Sequence, residues 1–163
     1  MEDIKIGTYC KDVVTGVEGL VIAKIIWLFG CNKYILLSYD EKNSKEIRTT
    51  IDEKRLKRIE PKSEEFIIEE NEGRQTDFFG KLCCDKVSGY KGICIGRLIN
   101  AFGSDQYCLT PQVNKNNKKR GSDEVFDEGR LTVIREVIKN EEVLSERKGG
   151  MEIDATNLAG ILC

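Results

Sequence analysis

Apolar and polar residues alternate from Tyr9 to Val14, and after Gly19 the chain resumes in the β-branched run Leu20-Val21-Ile22. A period of two puts successive side chains on opposite faces of a strand. Thr15-Gly16 lies between the two runs and supplies a turn, so a hairpin is the simplest account. The second run continues through Ile25-Ile26-Trp27-Leu28-Phe29 to Gly30, where another turn is required, and Tyr34-Ile35-Leu36-Leu37 gives a third strand. A polar loop, Tyr39 to Glu46, then precedes a closing strand that ends on Asp52-Glu53-Lys54-Arg55-Leu56.

The same pattern is written a second time. Residues 7–37 realign on residues 80–110 without a gap, with 12 identities in 31 pairs. The second copy has its turn at Ser88-Gly89, restarts at Gly92 into Ile93-Cys94-Ile95, and continues through Leu98-Ile99, Phe102-Gly103 and Tyr107-Cys108-Leu109. A polar loop, Gln112 to Asp123, leads to Asp127-Glu128-Gly129-Arg130-Leu131. A repeat of this quality is a duplicated structural unit. Four or five short strands with one buried face do not stand as an open sheet, and closure into a small barrel removes the exposed edges.

The expectation is therefore a mainly β chain of two tandem small β-barrels, at 1–60 and 79–135. An acidic linker at 61–78 joins them and carries the apolar island Phe66-Ile67-Ile68. The spacing of Val133, Ile134, Val137, Ile138, Val143 and Leu144 predicts a short amphipathic helix to about Arg147, within a 136–163 helix and tail. Modules of roughly 60 residues sit near the lower limit for a self-sufficient core, so packing of the copies or a homo-oligomer is expected to add stability.

Charge and cysteine usage narrow the chemistry. The formal net charge is -2, which disfavours strong non-specific binding to a polyanion. Val17 to Phe29 is interrupted by Glu18, Gly19 and Lys24, and no apolar stretch reaches the roughly 18 residues of a membrane span. The start, Met-Glu-Asp-Ile-Lys, has no basic region followed by an apolar core, so a cytoplasmic protein is expected, with no membrane partner. The 7 cysteines include no CxxC pair, and in a reducing compartment neither disulfides nor a zinc site is expected of them. Cys10 and Cys83 occupy equivalent positions and read as small buried hydrophobes. Histidine is absent, which removes the commonest general base and the commonest metal ligand. No enzyme activity, metal or cofactor is expected.

The order of these elements resembles SH3-like barrels of the KOW and Tudor type. It resembles more closely a group of short uncharacterised proteins of bacteriophage and prophage genomes, built on a Thr-Gly-Phe-x-Gly turn, a Gly-Cys-x-x-Tyr strand and a terminal Asp-Glu-x-x-Leu. Those elements are Thr15 to Gly19, Gly30 to Tyr34 and Asp52 to Leu56, with counterparts at Ser88 to Gly92, Gly103 to Tyr107 and Asp127 to Leu131. Val17 and Tyr90 stand where that pattern has Phe. The resemblance implies a non-catalytic phage accessory protein, a host-defence inhibitor that grips a host protein or a small anionic signalling nucleotide.

Candidate binding residues follow from the repeated positions. Arg55 and Arg130, beside Asp52, Glu53, Asp127 and Glu128, offer guanidinium forks that suit phosphate or carboxylate, or else pack back over the barrel as structural groups. Phe29 and Phe102 at the repeated Phe-Gly turns either stack on a ligand or cap the core, and capping is the reading preferred for them. Trp27 has no counterpart in the second copy and is the better surface anchor. Lys24 and Arg97 repeat a charge inside the long strand and are expected to line a solvated face. The alternative function, a KOW-like RNA- or DNA-associated module, rests on the basic run that includes Lys118, Lys119 and Arg120.

Overall fold

A computed structural model of the chain describes residues 4–61 and 78–139. The fold is mainly β, built of antiparallel strands, and no helix of seven or more residues occurs among the described residues. The predicted C-terminal helix and tail, and most of the acidic linker with its Phe66-Ile67-Ile68 island, lie outside the described residues. Val133 and Ile134, taken into that helix by their spacing, lie in a strand instead.

The chain divides into two units. Among the described residues the first takes 4–26, 31–61 and 98–103, and the second takes 27–30, 78–97 and 104–139. In the first unit, β1 (Tyr9–Asp12), β2 (Glu18–Trp27), β3 (Lys33–Asp40), β4 (Lys45–Asp52) and β5 (Leu56–Arg58) pair in the order β5-β1-β2-β3-β4. In the second, β6 (Lys81–Asp85), β7 (Lys91–Asn100), β8 (Gln106–Thr110), β9 (Glu124–Asp127) and β10 (Leu131–Glu136) pair in the same order, β10-β6-β7-β8-β9. The fourth strand of each unit ends where the repeated Asp-Glu-x-Arg phrase begins, β4 on Asp52 and β9 on Asp127. Glu53–Arg55 and Glu128–Arg130 are single 3-10 turns, after which Leu56 and Leu131 begin the last strand of each unit.

The first core gathers Ile4, Ile6, Cys10, Val21, Tyr34, Leu36, Ile51 and Ile99, with Leu56 packed against it. The second gathers Phe78, Cys83, Cys94, Tyr107, Leu109, Phe126 and Leu131. Cys10 and Cys83 are fully buried in them, as expected of small apolar side chains. The two long strands explain why neither unit is a continuous stretch of chain. Along β2 every second residue is buried up to Ile25, and along β7 up to Gly96. The phase then slips, and Leu28 and Ile99 become the next buried residues. Beyond the slip, the Leu28 N–H donates to the Ile95 carbonyl at 2.8 Å within the second unit. The Ala101 N–H donates to the Ile22 carbonyl at 2.8 Å within the first.

The two copies differ after their third strand. The loop expected from Tyr39 to Glu46 is much shorter, because β3 runs on to Asp40 and pairs with β4 down to Asp40 opposite Lys45. The Asp40 carboxylate closes the turn by accepting from the Lys42 and Asn43 N–H groups, at 3.0 and 3.4 Å, which removes the need for a longer connection. In the second copy residues 111–123 do stay outside the strands.

Gly19 and Gly92 are required for space and not as turn residues. A Cβ on Gly19 would lie 2.5 Å from the Leu37 carbonyl oxygen, and one on Gly92 2.8 Å from that of Thr110. Backbone offers little room to retreat. Gly19→Ala and Gly92→Ala are each expected to destabilise the protein by about 1–3 kcal/mol. Gly129→Ala, with nothing within 4 Å of the added atom, is the neutral control. Denaturant unfolding of the three variants checks this, and equal midpoints would contradict it.

Candidate functional site

Each unit places one carboxylate at the end of its first strand, where the turn begins. Asp12 and Asp85 are both fully buried. An ionised carboxylate in such a place needs partners on both oxygens. The Arg130 fork donates to Asp85 through Nε to Oδ1 at 2.9 Å and through Nη2 to Oδ2 at 2.6 Å. Ser88 adds its N–H at 2.8 Å and its hydroxyl at 2.6 Å, both to Oδ2. Asp12 repeats the arrangement with Arg55, through Nε to Oδ1 at 3.0 Å and Nη2 to Oδ2 at 2.5 Å. There the Val14 N–H, the Thr15 N–H and the Thr15 hydroxyl complete the set. The backbone reinforces the side chains, because the Val13 N–H donates to the Arg55 carbonyl and the Lys86 N–H to that of Arg130, both at 2.9 Å.

The arginine bonds hold both carboxyls well below the usual carboxylate range, with hydroxyl and amide donors adding to the effect and outweighing the opposing cost of burial. The same bonds raise Arg55 and Arg130. The sequence offers Arg55 and Arg130 either as ligand forks beside Asp52, Glu53, Asp127 and Glu128 or, the preferred reading, as structural groups packed back over the barrel. The structure pairs each with an aspartate 43 or 45 residues away. The available signal was the identity of Asp12 and Asp85 between the copies, each three residues before a hydroxyl residue and a glycine. The acidic neighbours have other work: Glu53 accepts from the Tyr34 hydroxyl at 3.3 Å, and Asp127 accepts from Ser104 and Gln106 at 3.2 and 3.0 Å.

Lys24 and Arg97 do not line an open face. Both are partly buried over the tyrosine of the next strand, with the Lys24 Nζ 5.8 Å from the Tyr34 ring centre and the Arg97 guanidinium 5.9 Å from that of Tyr107. Arg97 also donates to Asp105 through Nε at 3.0 Å and Nη2 at 2.5 Å. Burial pushes the Tyr107 phenol up to about 12. Trp27 is partly buried as well. Its six-membered ring occupies the space a side chain at Gly96 would need, 2.7 Å from a Cβ built there.

Phe29 and Phe102 reverse the core-capping expectation. They are 54% and 74% exposed, at turns where Gly30 and Gly103 adopt φ of 120° and 122°. Neither ring belongs to a core cluster. The chain turns back at each glycine, so the residue before it stands at the tip. The basic loop is organised by its asparagines: the Asn116 N–H donates to the Asn114 side chain at 2.9 Å and the Lys119 N–H to that of Asn117 at 3.0 Å. Lys118 and Lys119 are exposed, while Arg120 pairs with Asp123 at 2.5 Å.

Burial raises the Cys83 and Cys108 thiols, to about 11 and about 12, so at neutral pH they are protonated and poor nucleophiles. Among the described residues no group of three or more Cys, Asp or Glu side chains is placed to hold a metal ion. No protein-family model, curated protein or solved structure matches this chain.

The two buried aspartates set an acid limit. Their folded pKa values are lowered, so their stabilisation is complete above the unfolded value of about 4 and is lost as pH falls below it. Melting temperature is expected to fall steeply between about pH 4 and pH 2, and Asp85→Asn to lower it at neutral pH while flattening that acid slope. An unchanged slope in Asp85→Asn would contradict the assignment.

Proposed function

We propose that this chain is a non-catalytic binding protein, an accessory protein of bacteriophage type that holds a host protein by the two Phe-Gly tips. The exposure of Phe29 and Phe102, at 54% and 74%, carries the reading. The two rings are exposed at equivalent turns of the two units, and aromatic side chains are preferred anchors in protein interfaces. An SH3-like barrel is proposed for each unit. The strand order β5-β1-β2-β3-β4 and the 3-10 turn before the last strand support that assignment, as does their recurrence in β6 to β10.

A host protein is favoured over a small anionic nucleotide by the fate of the arginines. Arg55, Arg97 and Arg130 each spend their fork on an internal aspartate, Asp12, Asp105 and Asp85. A phosphate would have to displace a carboxylate already in place. Nucleic acid is the second reading, favoured by one observation, the exposed cations Lys118 and Lys119 on an asparagine-braced loop. The net charge of -2 opposes it.

Crosslinking in bacterial lysate, comparing the unmodified chain with Phe29→Ser/Phe102→Ser, tests the proposal. The double variant is expected to keep its fold and to lose the protein captured by the unmodified chain, with affinity weakened about 30-fold or more if each ring is an anchor. Capture that is indifferent to Phe29 and Phe102 but abolished by Lys118→Ala/Lys119→Ala and by nuclease would move the function to nucleic acid.

A further inference from the structure

One edge of the first unit has no equal in the second. β4 spans 8 residues and pairs with β3 through eight successive positions with no shift in register. Among the described residues β4 pairs with β3 alone, so its other side is a sheet edge. Its first four residues, Lys45 to Arg48, are exposed, and Ile47 is 42% exposed. The corresponding edge strand of the second unit, β9, has 4 residues and carries Glu124 and Asp127 at its ends. Short, like-charged edges resist pairing with another chain, whereas a long regular edge invites it.

The charges on β4 select a partner and a register. In antiparallel self-pairing around a two-fold axis each residue meets the one equidistant from the centre. Centring on Ile47 puts Ile47 against its own copy and Glu46 against Arg48 twice, with Lys45 opposite Thr49. Moving the centre to Arg48 sets Arg48 against itself, and moving it to Glu46 sets Glu46 against itself. Moving it to Thr49 sets Glu46 against Asp52. Like charges directly opposite destabilise a strand pair and unlike charges stabilise it. A centre on Thr50 is also free of like charges, with Arg48 opposite Asp52, but Asp52 is already engaged by Lys33 at 3.6 Å and the residues at that centre are half-buried; the Ile47-centred register is the one that lies on the exposed half of the strand.

We propose that the free edge of β4 is a self-association surface at which a second copy of this chain adds antiparallel, centred on Ile47. The pairing extends β-structure across the dimer, shields Ile47 and forms two Glu46–Arg48 ion pairs. A single strand pair buries less than the roughly 800 Å² per partner of stable complexes, so the association is reversible and concentration-dependent. It is independent of the Phe-Gly tips.

Sedimentation velocity over a concentration series tests this, with the unmodified chain, Glu46→Arg and the charge swap Glu46→Arg/Arg48→Glu. The unmodified chain is expected to dimerise. Glu46→Arg places arginines opposite Arg48 and should weaken the dimer about tenfold or more, and the swap should restore it. The side chains are exposed, so circular dichroism should show all three folded. A monomer at every concentration up to the solubility limit, a dimer indifferent to Glu46→Arg, or a swap that fails to restore it would each overturn the proposal.

Discussion

A buried carboxylate ties the two ends of each unit together. Asp12 closes β1 and is gripped by Arg55 at the entry to β5, and Asp85 closes β6 and is gripped by Arg130 at the entry to β10. Removing a carboxylate from water costs several kcal/mol unless both oxygens are supplied with donors, so the rest of the local sequence is constrained around it. The hydroxyl residue three positions on, the glycine after it and the Asp-Glu-x-Arg turn serve that one group. The result is a clasp between first and last strand that defines the β5-β1 and β10-β6 pairings.

The clasps are alike, and the surfaces around them have diverged. Lys24 over Tyr34 in one copy becomes Arg97 bound to Asp105 in the other. Ala23 and Asn100 stand at the positions whose partners are Gly96 and Trp27, where the glycine makes room for the indole. The regular β3–β4 hairpin corresponds to an asparagine-rich loop after β8. The two units share a strand order and a clasp, and these differences give each its own edge and loop, while the Phe-Gly tips are exposed in both. A duplicated fold does not by itself specify a ligand, so the functional reading rests on these surface features.

Much of the scaffold is legible in the sequence. Period-two alternation, the Thr15-Gly16 and Ser88-Gly89 turns and the repeated Gly-x-x-x-Tyr spacing locate most of the strands, because each is a local property of the chain. The roles of Asp12 and Asp85 are not local. Their partners lie at the far end of each unit, and alternation alone places an aspartate on a buried face without naming the cation that holds it there. The exchange of residues 27–30 and 98–103 between units depends on a one-residue slip in burial phase inside β2 and β7, which apolar runs such as Ile25 to Phe29 conceal. The repeated Phe-Gly pairs read as lids on the core, but the turn made at each glycine leaves Phe29 and Phe102 exposed. Glu41 to Ser44 closes as a tight turn because Asp40 supplies the acceptor, whereas residues 111–123, with Pro111 and three asparagines, stay outside the strands.

The most direct test of the central clasp is a double-mutant cycle on Asp85 and Arg130, comparing the stabilities of Asp85→Asn, Arg130→Gln and the double variant. If the arginine acts chiefly through the buried carboxylate, the double variant is no less stable than the worse of the two single variants. Losses that simply add would show that Asp85 and Arg130 act independently, and the clasp would not be what joins first strand to last.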